Sequence, residues 1–313
     1  MTQPKGVAMT LVVIGSYNRD IVLRVPHLPA AGETIAALGM AQFDGGKGSN
    51  QAVQAARCGA RVVMVAALGA DAAGQAARAL WVSEGLTAVV QDCPGPTGMA
   101  VIFVDAAGEN CIAVVPGANG ALSPAHAEAA VRASAPCLVL AQREVPEDAI
   151  LAGFRAARAG GATTVLNAAP SGMVAPALLE LTDLLVVNEG EAAALGGAPA
   201  LASRHALGVI VTLGAAGATH IARDGEVRSW PVFAVTVQDT TGAGDAFTGC
   251  LAASLAAGLG IAAAMPLALA AGALACTHDG AVPSLHGHAA IAVLAGRVSD
   301  RTKRRSGHYS DAG

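Results

Sequence analysis

Residues 239–249 read Asp-Thr-Thr-Gly-Ala-Gly-Asp-Ala-Phe-Thr-Gly: a polar turn, a glycine step and the start of an apolar helix. The small residues Gly242, Ala243 and Gly244 leave the backbone bare, so three N–H groups can approach one anion. The first N–H groups of a helix have no intrahelical partner, and the helix dipole favours negative charge at that end. Asp245 follows at once. A carboxylate here repels a bound phosphate unless it takes a proton from the group attacking that phosphate. The stretch predicts phosphoryl transfer to a hydroxyl, with Asp245 as base and the amides of Gly242, Ala243 and Gly244 as anion hole.

Upstream, short Val/Ile/Leu runs alternate with Ala-rich helical stretches. Strands are predicted at Leu11–Ile14, Arg61–Ala66, Leu138–Leu140, Thr164–Leu166, Leu184–Val187 and Val209–Thr212. Helices are predicted near 46–58, 71–84, 123–134, 146–159 and 189–195. Continuous apolar strands separated by helices form a parallel sheet covered on both faces. After Thr212 the pattern becomes strand–turn–strand (Ala218–Ala222, Asp224-Gly225, Val227–Val232), an antiparallel edge, and two long helices follow from Gly244. Residues 20–43 and 97–115 alternate with period two, and the second stretch carries a hairpin turn at DAAGEN. Both are predicted to pair into a small sheet outside the main layer. Such a sheet can serve as a lid, and its outer apolar face offers a homodimer contact.

Composition narrows the function. The chain has 313 residues, 53% of them apolar, enough for a large core in one α/β domain. With aromatics at 3% and a net charge of −4, neither base stacking nor a polyanion partner is expected, so no nucleic acid is called. The cysteines at 58, 93, 111, 137, 250 and 276 are scattered without a C-x-x-C pair. A zinc site or redox motif is therefore not expected, and the expected compartment is a reducing cytoplasm. The N-terminus lacks a long apolar h-region. The longest apolar stretch, Cys250 to Cys276, is interrupted by Gly258, Gly260 and Pro266, so two buried helices are predicted there rather than a membrane span. The basic segment at 300–313 is expected to be a disordered tail.

Four further stretches end predicted strands or open predicted helices. Gly45-Gly46-Lys47-Gly48-Ser49-Asn50 fails as a P-loop, because Gly rather than Ser or Thr follows the lysine. Its simplest reading is a glycine turn with a serine cap. The alternative is a polyol clamp in which amide, ammonium and carboxamide groups meet several hydroxyls. Asn18 and Asp20 lie just after the first strand, where α/β sheets place ligands, and suit adjacent sugar hydroxyls or an Asx turn. Asn188-Glu189-Gly190-Glu191 suits helix capping or magnesium held through water. Thr212 to Gly217 is a glycine turn between strands, able to touch nucleotide phosphates, and Glu144 ends another strand within reach of a sugar hydroxyl or of solvent. Gly242 to Phe247 is not a dinucleotide-binding fingerprint, since its third glycine is missing.

Together these residues resemble the PfkB (ribokinase-like) carbohydrate kinases, from Val12 to about Leu285. GGKGSNQA is similar to the family's N-terminal signature, DTTGAGDAF to its C-terminal signature and NEGE to its Asn-x-x-Glu magnesium motif. The resemblance implies a three-layer α/β/α fold with a mostly parallel central sheet and a small β-sheet lid. It implies that Asn18, Asp20, Gly46, Lys47, Asn50 and Glu144 hold the sugar, with Asp245 as base. Asn188, Thr212, Gly214, Gly217 and Gly244 would serve the nucleotide, and Glu191 would hold Mg²⁺ through water. A monovalent-cation loop for K⁺ maps onto Asp239, Thr241, Gly280 and Ser284. Arg143, Ala216 and His278-Asp279 depart from the family's pattern. The implied activity is ATP-dependent phosphorylation of a pentose, D-ribose at its 5-hydroxyl foremost. Deoxyribose, fructose and nucleosides such as pseudouridine remain as alternative acceptors. A sugar-binding regulator without catalysis is disfavoured by the intact Asp245 and its glycines.

Overall fold

A run such as Leu11-Val12-Val13-Ile14 has no polar face to offer water, so its strand must be covered on both sides. All four side chains are fully buried. In the computed structural model, which describes residues 9–296 apart from residue 206, they lie at the centre of a nine-stranded sheet.

In chain order the strands are β1 (Thr10–Ile14), β2 (Asn18–Arg24), β3 (Gly39–Gly45), β4 (Arg61–Gly69), β5 (Thr87–Cys93), β6 (Gly98–Val104), β7 (Asn110–Val115), β8 (Leu138–Gln142), β9 (Thr163–Asn167), β10 (Leu184–Asn188), β11 (Gly208–Thr212), β12 (Ala218–Ile221) and β13 (Val227–Trp230). The helices are α1 (Lys47–Arg57), α2 (Ala72–Ser83), α3 (Pro124–Ser134), α4 (Glu147–Ala159), α5 (Pro176–Glu180), α6 (Glu189–Ala194), α7 (Ala198–His205), α8 (Ala243–Ala256) and α9 (Ile261–Ala275).

The main sheet runs β13-β12-β11-β10-β9-β8-β1-β4-β5, parallel from β11 to β5, with β12 and β13 antiparallel at one edge. Alternate residues of each strand enter different cores. Leu11 and Val13 pack with α1, α2, α8 and α9, whereas Val12 and Ile14 pack with α3 to α7. Ile150 and Phe154 of α4 are fully buried in the second core, each contributing about 2 kcal/mol through lost apolar exposure. This is the expected three-layer α/β/α arrangement. A second sheet, β3-β2-β6-β7, stands apart from it, built from the two stretches whose period-two pattern predicted it.

Several local predictions need correction. Residues 25–38 form no strand, because Pro26 and Pro29 have no N–H for a ladder and Gly32 turns at φ 81°. The edge strand predicted to Val232 stops at Trp230, where Pro231 ends pairing. Pro266 lies inside α9 rather than breaking it. The break falls at Gly258, whose φ of 84° lets Leu259 N donate to Ser254 O (3.1 Å) and close α8. Strand β5 and helices α5 and α7 were not predicted. The segment 300–313 lies outside the described residues.

Candidate active site

Parallel strands leave their C-terminal ends on one side of the sheet, and each candidate residue there follows an apolar run that anchors it. Asn18 follows β1, Glu144 follows β8, Asn188 ends β10 and Thr212 ends β11. Helices α1 and α8 start on the same side, bringing Lys47 and Asn50 towards Asp245. Gly249 makes this approach possible, since a Cβ there would sit 2.5 Å from the Gln51 carbonyl oxygen.

Asp245 is 8% exposed and held at both carboxylate oxygens. Asn50 Nδ2 donates to Oδ2 at 2.9 Å, and Gln51 Nε2 donates to Oδ1 at 2.8 Å. Asn50 Oδ1 is buried with no partner among the described residues, an open acceptor beside Asp245. Lys47, Asn188, Glu191, Thr212, Gly242, Gly244 and Asp245 line one cavity of about 240 Å³. Thr212, Gly214, Gly217, Ala243 and Gly244 border a second, more apolar cavity of about 440 Å³ that reaches Phe233 and Phe247. Gly244 lies on both, so the two spaces meet at the start of α8.

Of the three amides expected to face an anion, that of Ala243 is engaged within the turn. Ala243 N already donates to the Thr240 carbonyl at 3.2 Å, closing the turn in which Gly242 takes the left-handed φ of 78°. Gly242, Gly244 and Asp245 supply the open amides instead, since none has a hydrogen-bond acceptor among the described residues. The serine cap of α1 is also corrected. Gly46 occupies the cap position without a side-chain bond, and Ser49 Oγ accepts from Trp81 Nε1 at 2.9 Å.

At the start of α1, Glu144 Oε2 accepts from Ser16 Oγ (2.5 Å) and from Lys47 N (2.9 Å). Asn18 Oδ1 accepts from Asn119 Nδ2 at 2.8 Å, which fixes the carboxamide. Asp20 lies over Gly45, where a Cβ would meet its Oδ2 at 2.1 Å. Burial, then the negative charges of Glu144, Asp245 and Asp44, push the Asp20 carboxyl up to about 7. Lys47 moves upward, held protonated chiefly by Asp245 against its burial, with help from Glu144, Glu191 and Asp20.

The Asn-x-x-Glu stretch is a capping box. Asn188 Oδ1 accepts from Glu191 N (2.8 Å), and Glu191 Oε2 accepts from Asn188 N (2.9 Å). Both residues also line the cavity, with Glu191 Oε1 outside the box. Thr212 Oγ1 turns its proton towards the Val187 carbonyl (3.3 Å). Asp239 ties the cation-loop candidates together: Oδ1 accepts from Thr241 N and Oγ1, and Oδ2 accepts from Gly280 N, all within 2.9 Å. Burial works upward on this carboxyl, and the three donors outweigh it, holding it below the usual range. Ser284 is fully buried nearby, its hydroxyl donating to Ala281 O at 2.7 Å. Arg143 reaches outward, donating to the Pro170 and Met173 carbonyls.

Sequence reasoning missed Gln51, Gln142 and Asn167, all buried, with Gln51 hydrogen-bonded to each of the other two. One available signal was a polar residue closing an apolar strand, as Gln142 and Asn167 do. Among the described residues no three His, Cys, Asp or Glu side chains group to hold a metal, and no helix is long and apolar enough to cross a membrane.

Residues 9–286 match the pfkB family of carbohydrate kinases. The chain belongs to that family. Among its members, ribokinase of Haemophilus influenzae is 34% identical over 293 residues, covering 88% of this chain and 95% of the relative. Deoxyribokinase of Salmonella typhi is 35% identical over 266 residues, covering 78% and 85%. The structure of Arabidopsis thaliana ribokinase complexed with ribose and ATP aligns with a TM-score of 0.82 at 32% identity, covering 92% of this pfkB chain and 99% of that one.

Proposed function

We propose that the protein transfers the terminal phosphoryl group of ATP to the primary 5-hydroxyl of D-ribose. The observation that carries this reading is the placement of Asp245. Its carboxylate is gripped by Asn50 and Gln51 while it borders the cavity that Gly242, Gly244 and Lys47 also line. A hydroxyl entering from the side of Asn18, Asp20 and Glu144 would meet Asp245, and the phosphate would meet the open amides.

Asp245 accepts the hydroxyl proton as the bond to phosphorus forms. In a loose transition state that proton leaves late, so position matters more than base strength. The amides of Gly242, Gly244 and Asp245, with Lys47, stabilise charge on the transferring oxygens, each preorganised donor worth roughly 3 kcal/mol. The apolar cavity beside Phe247 takes the adenine. The oxygen-rich wall at Asn188 and Glu191 suits Mg²⁺ held largely through water, and when bound the ion would neutralise phosphate charge. The carbonyls and hydroxyls around Asp239, Thr241, Gly280 and Ser284 suit a monovalent cation such as K⁺, which would steady the turn before α8. The small sheet closes over the sugar as a lid, and its exposed apolar side chains support a homodimer through it. The proposed setting is the cytoplasm.

Identity to a deoxyribokinase matches that to a ribokinase, so 2-deoxyribose is the nearest competing acceptor. A coupled ADP-release assay across ribose, deoxyribose, fructose, adenosine and pseudouridine, with and without K⁺, tests the proposal. Ribose should give the highest kcat/KM, and K⁺ should raise it. Equal ADP release with no acceptor would overturn the sugar-kinase reading.

A further inference from the structure

Three buried carboxamides, Gln51 within the GGKGSNQA stretch and Gln142 and Asn167 at the ends of β8 and β9, form a chain that ends on Asp245. Gln51 and Gln142 are fully buried and Asn167 is 8% exposed. Gln142 Nε2 donates to Gln51 Oε1 at 2.6 Å. Gln51 Nε2 in turn donates to Asp245 Oδ1 (2.8 Å) and to Asn167 Oδ1 (3.0 Å). Asn167 Nδ2 donates to the Val186 carbonyl of β10 at 3.1 Å.

The directions of these bonds matter more than their number. An ionised carboxylate only accepts, so Gln51 must present its N–H group to Asp245. A carboxamide can turn over, and the flipped form would aim an oxygen at that carboxylate. Asn167 excludes the flip, and Gln142 matches the unflipped form. Gln142 offers a donor where Gln51 Oε1 lies, and Asn167 offers an acceptor where its second N–H lies. The backbone carbonyl of Val186 sets the Asn167 amide in the same way. Polarity is thus transmitted from the Val186 carbonyl through Asn167 and Gln51 to the carboxylate, while Gln142, whose Oε1 has no partner among the described residues, adds its donor to Gln51 Oε1.

Asn50 and Gln51 are successive residues that grip different oxygens of Asp245, yet their surroundings differ. Neither lines the cavity, but Asn50 has an Oδ1 without a partner among the described residues, whereas both polar atoms of Gln51 are taken up by protein. Gln51 thus stands behind the cavity wall and touches it through Asp245 and through Asn167, of which only Asp245 is the proposed base. The force it opposes is also present: the Lys47 ammonium is coupled to Asp245 more strongly than to any other charge. A carboxylate released at Oδ1 is free to swing towards that ammonium and away from the line of attack.

Building on the reading of Asp245 as base, we propose that Gln51 is the positioning residue of that base, with Gln142 and Asn167 holding the Gln51 amide in its working orientation. A misplacement of about 1 Å can cost on the order of a hundredfold in rate, so an uncharged residue that never meets substrate has a large kinetic effect.

Gln51→Leu keeps the approximate volume and removes the donor. The measurements are kcat, sugar KM and ATP KM, with thermal unfolding as a check on folding. The expected result is a fall in kcat of about 10- to 100-fold, with both KM values within about threefold of wild type. Gln142→Leu should give a smaller loss of the same kind, and the double variant should be no worse than Gln51→Leu alone. In an Asp245→Asn background Gln51→Leu should have no further effect on kcat, a result that a general packing role would not produce.

Wild-type kcat in folded Gln51→Leu, with Asp245→Asn inactive, would overturn the positioning role and leave the base intact. A full additional loss in the Asp245→Asn background would also overturn it. Near-wild-type turnover by Asp245→Asn would remove both the base and the positioning proposal. Should Gln51→Leu fail to fold, Gln142→Leu decides the matter: reduced kcat at unchanged KM supports the proposal, and unchanged kcat overturns it.

Discussion

The join between α1 and α8 and the small sheet β3-β2-β6-β7 are built in opposite ways. At the join, backbones meet within the distance a glycine allows, and the catalytic candidate is held by two buried amides. In the small sheet, Met40, Ile112 and Val114 are 65%, 53% and 51% exposed. One region is complete within the chain, and the other leaves apolar surface for something to cover. The difference teaches where precision is needed. On the proposed reading, groups that meet the reacting atoms need a preorganised wall, whereas a sheet serving as a lid would need only to open and close.

The largest expected effect breaks the wall at its chemistry. Asp245→Asn should lower kcat by at least about two orders of magnitude and leave sugar binding within severalfold, read by steady-state kinetics and calorimetric titration. Two glycines on α8 sharpen the comparison next. Gly249→Ala forces a Cβ against the Gln51 carbonyl and should destabilise the fold by about 1–3 kcal/mol in denaturant unfolding. Gly244→Ala meets only open space, so stability should hold while ATP KM rises, because the new methyl enters the phosphate region. Equal destabilisation by both substitutions would contradict the described packing.

The small sheet should respond differently. Ile112→Asp places a charge on its exposed apolar strand β7 and should shift a dimer towards monomer in light scattering, with little change in unfolding of the main sheet. The smallest effect concerns Asp20. Its carboxyl titrates near 7 when folded and near ~4 when unfolded, so between those values only the folded chain holds the proton. Stability therefore falls as pH rises through this window and stays reduced above it. Asp20→Asn removes the liability and should raise Tm by at least about 2 °C at pH 8, with no rise at pH 5. A gain of equal size at both pH values would show that Asp20 does not titrate there.

Much of the fold was legible because strands buried on both faces leave continuous apolar runs, as at Leu11–Ile14 and Leu184–Val187. Strand β5 was missed because it is an edge strand of mixed exposure, Thr87 to Cys93, whose alternation is diluted by Gln91 and Asp92. Helices α5 and α7 are too short to display a helical period. At the site, Lys47, Asn50 and Asp245 were legible because glycine turns mark helix starts. Gln51 was not legible. A glutamine on an early helix turn reads as solvent-facing until α8, 194 residues later, is known to cover it. The bond from the Ala243 amide to Thr240 was not legible for a similar reason, since it depends on the turn's geometry rather than on composition.

The most direct test of the central claim is a crystal structure with D-ribose, ADP and an aluminium fluoride mimic of the transferring phosphoryl group. The ribose 5-hydroxyl should lie within hydrogen-bond distance of Asp245, still gripped by Asn50 and Gln51, with the fluoride against the Gly242 and Gly244 amides. A sugar bound away from Asp245, or a mimic that avoids the start of α8, would contradict the account.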